Sequence, residues 1–242
     1  MRFSVFVLVL LLSSGASSVF AANVLVINTT GKPPLNTPEL SGFMDLVTSE
    51  ALRRMGYRLQ TVQLPAERGL ANSNAGIDDG EMSRISGLEK LYPNLIQVPE
   101  KIMDWEFNVF TDKNIHFDGK WSDLSPYAVS YINGWKILEK NVPDKAQVSK
   151  VKNTQQLFAM LEKGRTDLVI YERWGGLNLI QKNRLDNIQL LSPPLTVKDM
   201  YIYLHHKHKQ LVPLLARELN QMKQDGTYQK IFDKTLAPLV QR

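Results

Sequence analysis

Cysteine is missing from all 242 residues, and that absence removes several kinds of protein at once. A disulfide framework, a thiolate nucleophile, a cysteine-ligated zinc and a lipidated cysteine are all excluded. The phosphate loop ending in Gly-Lys-Ser/Thr, the His-Glu-x-x-His of zinc proteases and the Gly-x-Ser-x-Gly of serine hydrolases are absent too. No stretch beyond residue 21 approaches the roughly 20 apolar residues a spanning helix needs. A strong charge imbalance is also lacking: 29 lysines and arginines against 24 acids give a formal charge of +5. The basic residues are spread along the chain, with no basic-aromatic patch of the kind nucleic-acid binding needs. Their densest group is His205, His206, Lys207, His208 and Lys209. If this is strand, His206 and His208 share a face, but no carboxylate motif stands beside them, so a solvated strand end is expected rather than a metal site.

What is present begins with a leader. MRFSVFVLVLLLSSGASSVFA carries a basic Arg2, an apolar run from Phe3 to Leu12 and small residues at Val19-Phe20-Ala21. That pattern predicts a cleavable signal peptide over residues 1–21, with cleavage before Ala22. A secreted chain without disulfides suits a bacterial periplasm, and the mature chain is expected to be soluble and monomeric.

From Asn23 onward strands and helices alternate, which predicts α/β architecture with mainly parallel sheets and flanking helices. Asn23–Asn28 reads as a strand, followed by a proline-bearing loop over Thr29–Ser41. A helix opens at Gly42-Phe43 and stops at Gly56, a residue type favoured just past a helix end. Tyr57–Leu64 alternates as a half-buried strand. After Trp105–Thr111, another strand, the polar stretch Asp112–Ser125 reads as a connector. A second α/β set follows: the strand Ala128–Ile132, the turn Asn133-Gly134, a helix over Trp135–Lys140 and a short extended piece at Val148–Val151. Then come the helix Thr154–Lys163 capped by Asn153, the strand Thr166–Tyr171 and the helix Trp174–Lys182. A second connector lies at Ser192-Pro193-Pro194. The strand Met200–His205 and two helices, Gln210–Gln224 and Tyr228–Lys234, complete the chain. The expected organisation is a first lobe of residues 22–111 and 198–242, with residues 112–197 as an inserted second lobe and its two connectors.

The stretch Leu64–Arg84 draws attention because a strand end, a helix opening at Pro65 and a charged strand from Asp79 put Glu67, Arg68, Glu81 and Arg84 near one sheet edge. Ligands in open α/β sheets gather beyond the carboxyl ends of strands. An arginine there presents a planar fork that matches a carboxylate, or else pairs with a neighbouring acid. In the second set, Gly134 is a candidate anion-binding helix start, and Glu172 either holds a ligand or caps its helix. Trp135 and Trp174 either wall a cleft by stacking or fill a core.

Four motifs in order resemble the periplasmic solute-binding proteins of family 3, the amino-acid-type group of substrate-binding proteins. They are Gly42-Phe43-Met44-Asp45-Leu46 with Met55-Gly56; Pro65-x-x-Arg68 with Gly76-Ile77-Asp78-Asp79-Gly80; Leu161-Glu162-Lys163-Gly164-Arg165-Thr166-Asp167-Leu168-Val169; and Leu219 with Asp225-Gly226-Thr227-Tyr228, Ile231 and Lys234. The resemblance implies a type II periplasmic binding fold with two hinge crossings, and a cleft that closes on a small polar solute without cofactor or catalysis. It implies that Glu172 meets a ligand amino group and Gly134 a ligand carboxylate. It also implies a membrane partner, either a permease of an ABC transporter or a sensor kinase or cyclase. The sequence departs from the pattern at Trp135, where a hydroxyl residue is usual, and at Arg84, which arrives earlier than the usual Thr-x-x-Arg clamp. A periplasmic enzyme of dehydratase type on the same scaffold, using Glu81 or Glu172, and a ligand-free interaction module are the alternatives.

Overall fold

The first strand, β1 (Asn23–Thr29), is a buried apolar run, and it takes β2 (Tyr57–Gln63) as a parallel neighbour in register from Asn23 opposite Tyr57 to Thr29 opposite Gln63. The computed structural model describes residues 23–240; the leader and its cleavage point lie outside the described residues. Between these strands runs α1 (Phe43–Arg54), whose first two amides donate to Pro34 O and Leu35 O and whose Asp45 accepts from the Gly42 amide. Gly56 follows it at φ 81°, a conformation open to glycine without strain.

On the other side of β1 lies β3 (Gly80–Arg84), reached through α2 (Ala66–Asn74). The remaining strands are β4 (Leu95–Gln97), β5 (Met103–Thr111), β6 (Ala128–Ile132), β7 (Gln147–Val151), β8 (Leu168–Glu172), β9 (Gln189–Leu190) and β10 (Thr196–His205). They form one continuous ladder in the order β2-β1-β3-β10-β5-β8-β6-β7, with β4 added to β10 and β9 to β5. The outer pairs, β1 with β2 and β3 and β6 with β7 and β8, are parallel. The pairs around β5 and β10 are antiparallel.

Two long strands make the join. The first half of β10, Thr196–Met200, pairs with β5 from Phe107 back to Met103, and its second half pairs with β3 and β4. β5 in turn pairs over Phe107–Phe110 with β8. β10 thus begins four residues before the expected Met200. Its extra residues are polar and exposed at Lys198 and Asp199, so pairing, not burial, makes them strand. The strand ends at His205, as expected, and His206–Leu211 is a 3-10 helix. The expectation that His206 and His208 share a strand face is therefore corrected. His208 bonds Asp79 at 2.7 Å, and Lys207 pairs with the same carboxylate.

The other helices are α3 (Lys136–Asn141), α4 (Thr154–Glu162), α5 (Arg173–Asn183), α6 (Val212–Gln224) and α7 (Thr227–Thr235). Leu25, Ile27, Phe43, Leu52, Ile202, Leu215 and Leu219 belong to a core packed by α1, α6 and α7. Phe107, Val129, Leu138, Leu168 and Ile170 form a second core, and Phe110, Leu157, Phe158, Leu161 and Val169 a third. Alternation along β8, which is buried throughout, sends Leu168 and Ile170 to one face and Val169 and Tyr171 to the other. No helix among the described residues is long and apolar enough to cross a membrane.

Candidate functional site

The sequence-expected residues fall into two groups. In the first, Arg84 at the end of β3 binds back to Glu81, with Nε 2.9 Å and Nη2 2.7 Å from Oε1. Residues three apart on a flat strand would point to opposite faces. Here Ser83 sits at φ 69°, and the register to β10 gains one residue, with Tyr203 opposite Glu81 but Tyr201 opposite Arg84. That bulge turns Arg84 onto the Glu81 face. Its Nη2 also donates to Ala66 O at 3.2 Å, tying it to the first turn of α2.

Glu81 is fully buried, while Arg84 retains 17% side-chain exposure. Burial pushes the Glu81 carboxyl up to about 7, against the pull of Arg84 and with a further push from Asp78. Glu67 is exposed and accepts a hydrogen bond from Tyr92 Oη at 3.1 Å. Arg68 is exposed on the same turn, with no ion pair or hydrogen bond among the described residues.

Sequence reasoning missed the residues that hold this group from below. Asn28, wholly buried at the end of β1, donates its Nδ2 to Gly69 O at 3.0 Å, Ser73 Oγ at 2.8 Å and Asp78 Oδ2 at 2.8 Å. Ser73 Oγ passes a bond on to Gly80 O. Gly69 lets α2 lie this close: a Cβ there would stand 2.5 Å from Asn28 Oδ1 and 2.7 Å from Glu81 Oε2. Only the polar residue closing an apolar run signals Asn28 in the sequence, because its partners are 41 to 50 positions away.

The second group gathers at the carboxyl ends of β6 and β8. Trp135 lies flat on Tyr171, with centroids 5.2 Å and planes 18° apart, and edge-on to Phe107. Tyr171 Oη in turn accepts from Thr154 Oγ1 at the start of α4. Gly134, at φ 87°, gives its amide to Glu139, which Lys136 and Lys150 also hold. Glu172 is buried and caps α5, its two oxygens each accepting an amide, from Trp174 and Gly175, at 2.7 Å. Burial pushes its carboxyl up to about 7 while these donors pull it down. Trp174 is 7% exposed and packs into the first core against Phe232.

No hydrogen bond or ion pair among the described residues joins the two groups. Two concavities, of about 450 and 420 Å³, lie elsewhere. One is lined by Arg173, Leu177, Ile180 and Leu239, the other by Trp121, Lys136, Lys140 and Lys198. None of the eight expected residues lines either. No group of His, Asp or Glu among the described residues is arranged to hold a metal ion.

This arrangement can be set beside known proteins. No protein-family profile matches the chain. An uncharacterized protein of Shewanella oneidensis is 28% identical over 202 residues, covering 80% of this chain and 75% of that one. The structure is similar to the GluR0 ligand-binding core in complex with L-glutamate, at a TM-score of 0.75 and 13% identity, over 89% of this chain and 99% of that one. It is also similar to an ancestral arginine-binding protein bound to arginine, at 0.71 and 18% over 88% and 98%. A histidine kinase sensor domain with similarity to periplasmic binding proteins matches at 0.69 and 15%, over 88% and 96%. The chain has the two-lobed type II periplasmic binding fold. Identities this low carry the fold alone, so ligand and partner must be argued from this chain's own residues.

Proposed function

We propose that this chain is a periplasmic solute-binding protein. It captures a small polar, carboxylate-bearing solute, amino-acid-like or otherwise, between two lobes and presents it to a membrane permease or sensor. The observation that carries this reading is Arg84. It is held by a strand bulge at the carboxyl end of β3 and tied to the open first turn of α2, on a fold whose compared relatives include arginine- and glutamate-bound proteins. Arg68, in the same first turn and free of partners among the described residues, supplies a second guanidinium. Residues 112–197 form the inserted lobe in this reading. The crossings in this reading are residues 112–125 and 192–197, which adjoin in sequence the paired strands β5 and β10, Met103–Phe107 with Thr196–Met200.

Gly134 and Trp135 face the solute from the inserted lobe, while Glu172, buried with both oxygens on α5 amides, holds the helix start and is not itself a ligand contact. Trp135, already flattened on Tyr171, offers its other face to the solute's apolar part. Mass spectrometry of small molecules released on denaturing the purified protein tests the reading. A carboxylate-bearing solute that returns unchanged after incubation with the protein supports it. A solute that is consumed establishes an enzyme instead.

A further inference from the structure

Two buried oxygens beneath α2 have no hydrogen-bond partner among the described residues: Asn28 Oδ1 and Glu81 Oε2. Both lie against one point, the place a Gly69 Cβ would occupy, at 2.5 and 2.7 Å from it. The Asn28 amide cannot be turned to relieve them. Its Nδ2, with two hydrogens, lies within bonding distance of Gly69 O, Ser73 Oγ and Asp78 Oδ2, and the flipped side chain would set oxygen against the acceptor-only Gly69 O and Asp78 Oδ2. Oδ1 is therefore a fixed acceptor on the Glu81 side. Glu81 Oε1 is accounted for by the two Arg84 donors. An ionised Glu81 leaves two buried acceptors, both close to the same point, with no donor for either, a costly arrangement in a dry site. One proton resolves it.

We propose that Glu81 is held as the neutral acid, its Oε2–H given to Asn28 Oδ1, leaving Arg84 an uncompensated cation for a carboxylate-bearing solute. The solute class rests on the binding function proposed above; the proton assignment does not. The neutral form uses every atom: the carbonyl-like Oε1 accepts from Arg84, the hydroxyl donates to Asn28, and the guanidinium keeps its full charge. Other titratable groups around Glu81 act consistently with this. Asp78, before β3, adds negative charge on the far side of Asn28 and favours the neutral acid, as burial does. Glu67 on α2 is exposed and engaged by Tyr92 from the loop after β3. β10 contributes only Tyr201 and Tyr203 opposite this stretch. Arg68 and Arg84 are thus cations of this face, with Glu67 an exposed acid beside them. An ionised Glu81 would cancel Arg84 and remove the preference for an anion.

The test is a carboxyl ¹³C NMR titration of the solute-free full chain, with Glu81 assigned through its own side-chain correlations. The expected result is a Glu81 carboxyl still in the acid form at pH 6, ionising well above the ordinary glutamate range. A Glu81 already ionised at pH 5 overturns the proposal. Glu81→Gln gives a second reading, since its amide donates to Asn28 Oδ1 and its oxygen accepts from Arg84. Thermal shifts with L-glutamate, succinate and putrescine as probes then address the solute class. Stabilisation of Glu81→Gln at pH 8 by a carboxylate, matching wild type at pH 6, supports the anion preference. Stabilisation by putrescine alone overturns it. If no probe stabilises either protein while the titration shows the acid form, the anion preference falls and the proton assignment stands.

Discussion

Trp174 stands edge-on to Phe232, their ring centroids 5.4 Å apart, so the first turn of α5 is anchored in the core beneath α7. Arg173 lies 5.2 Å over the same indole and pairs with Glu106 on β5. Glu172 caps the same turn by its two amide contacts. The helix that follows β8 is therefore fastened to the C-terminal part of the chain by an aromatic plug, with a charged brace beside it. Trp174→Ala should cost about 3–5 kcal/mol of stability, the range for a buried aromatic reduced to alanine. Chemical denaturation checks this, and a loss under about 1 kcal/mol would mean the indole is not a core element.

Gly69→Ala sets two principles against each other. Alanine is the better helix former by up to about 1 kcal/mol, yet its Cβ would meet Asn28 Oδ1 at 2.5 Å and Glu81 Oε2 at 2.7 Å. Both oxygens are buried, so overpacking should win, with a net loss of about 1–3 kcal/mol. A stabilised Gly69→Ala protein would show that α2 can lift off β1 freely.

Much of this frame is legible in the sequence because its signals are local. Gly42, Gly56, Asn153 and Gly164 mark helix ends through backbone and capping preferences, and the structure puts helix ends beside each. The pairing of Arg84 with Glu81 and the capping by Glu172 are among the readings weighed from sequence, being contacts within three residues. The antiparallel join of β5 and β10 is not legible, because polar, exposed residues such as Lys198 and Asp199 become strand only through a partner 93 and 95 positions away. Asn28 was hidden for the same reason. Trp174 was open to two readings because a lone indole beside a helix start has the same sequence signature in a core or a cleft.

The pH dependence of stability carries a definite sign. The Glu81 carboxyl is raised from an ordinary 4.5 to about 7 by burial. Between those values the folded chain holds a proton that the unfolded chain has released, so stability falls as pH rises through this window. The Glu81 share should be about 3 kcal/mol, present in full below about pH 4.5 and lost by the time pH passes 7. Glu81→Gln should flatten that part of the curve. Glu172, also raised to about 7 by burial, adds a second share of the same sign; Glu172→Gln should remove that share, and one α5 amide then loses its acceptor at a cost of about 1–3 kcal/mol. Urea midpoints from pH 4.5 to 8 check both, and an unchanged slope in Glu81→Gln would contradict the first.

The capture of a carboxylate-bearing solute through Arg84 is tested most directly by a thermal-shift panel of amino acids and small carboxylic acids, run on wild type, Arg84→Ala and Arg84→Lys. At about a hundred times its dissociation constant, a true solute should add about 2.7 kcal/mol to wild-type stability. Arg84→Ala should remove most of that gain at the same concentration, since truncating a charged bidentate partner costs about 2–5 kcal/mol of binding. Arg84→Lys should restore little of it, because an ammonium cannot reproduce the fork. Equal shifts in all three proteins, or no saturable shift in wild type with any member of the panel, would contradict the account.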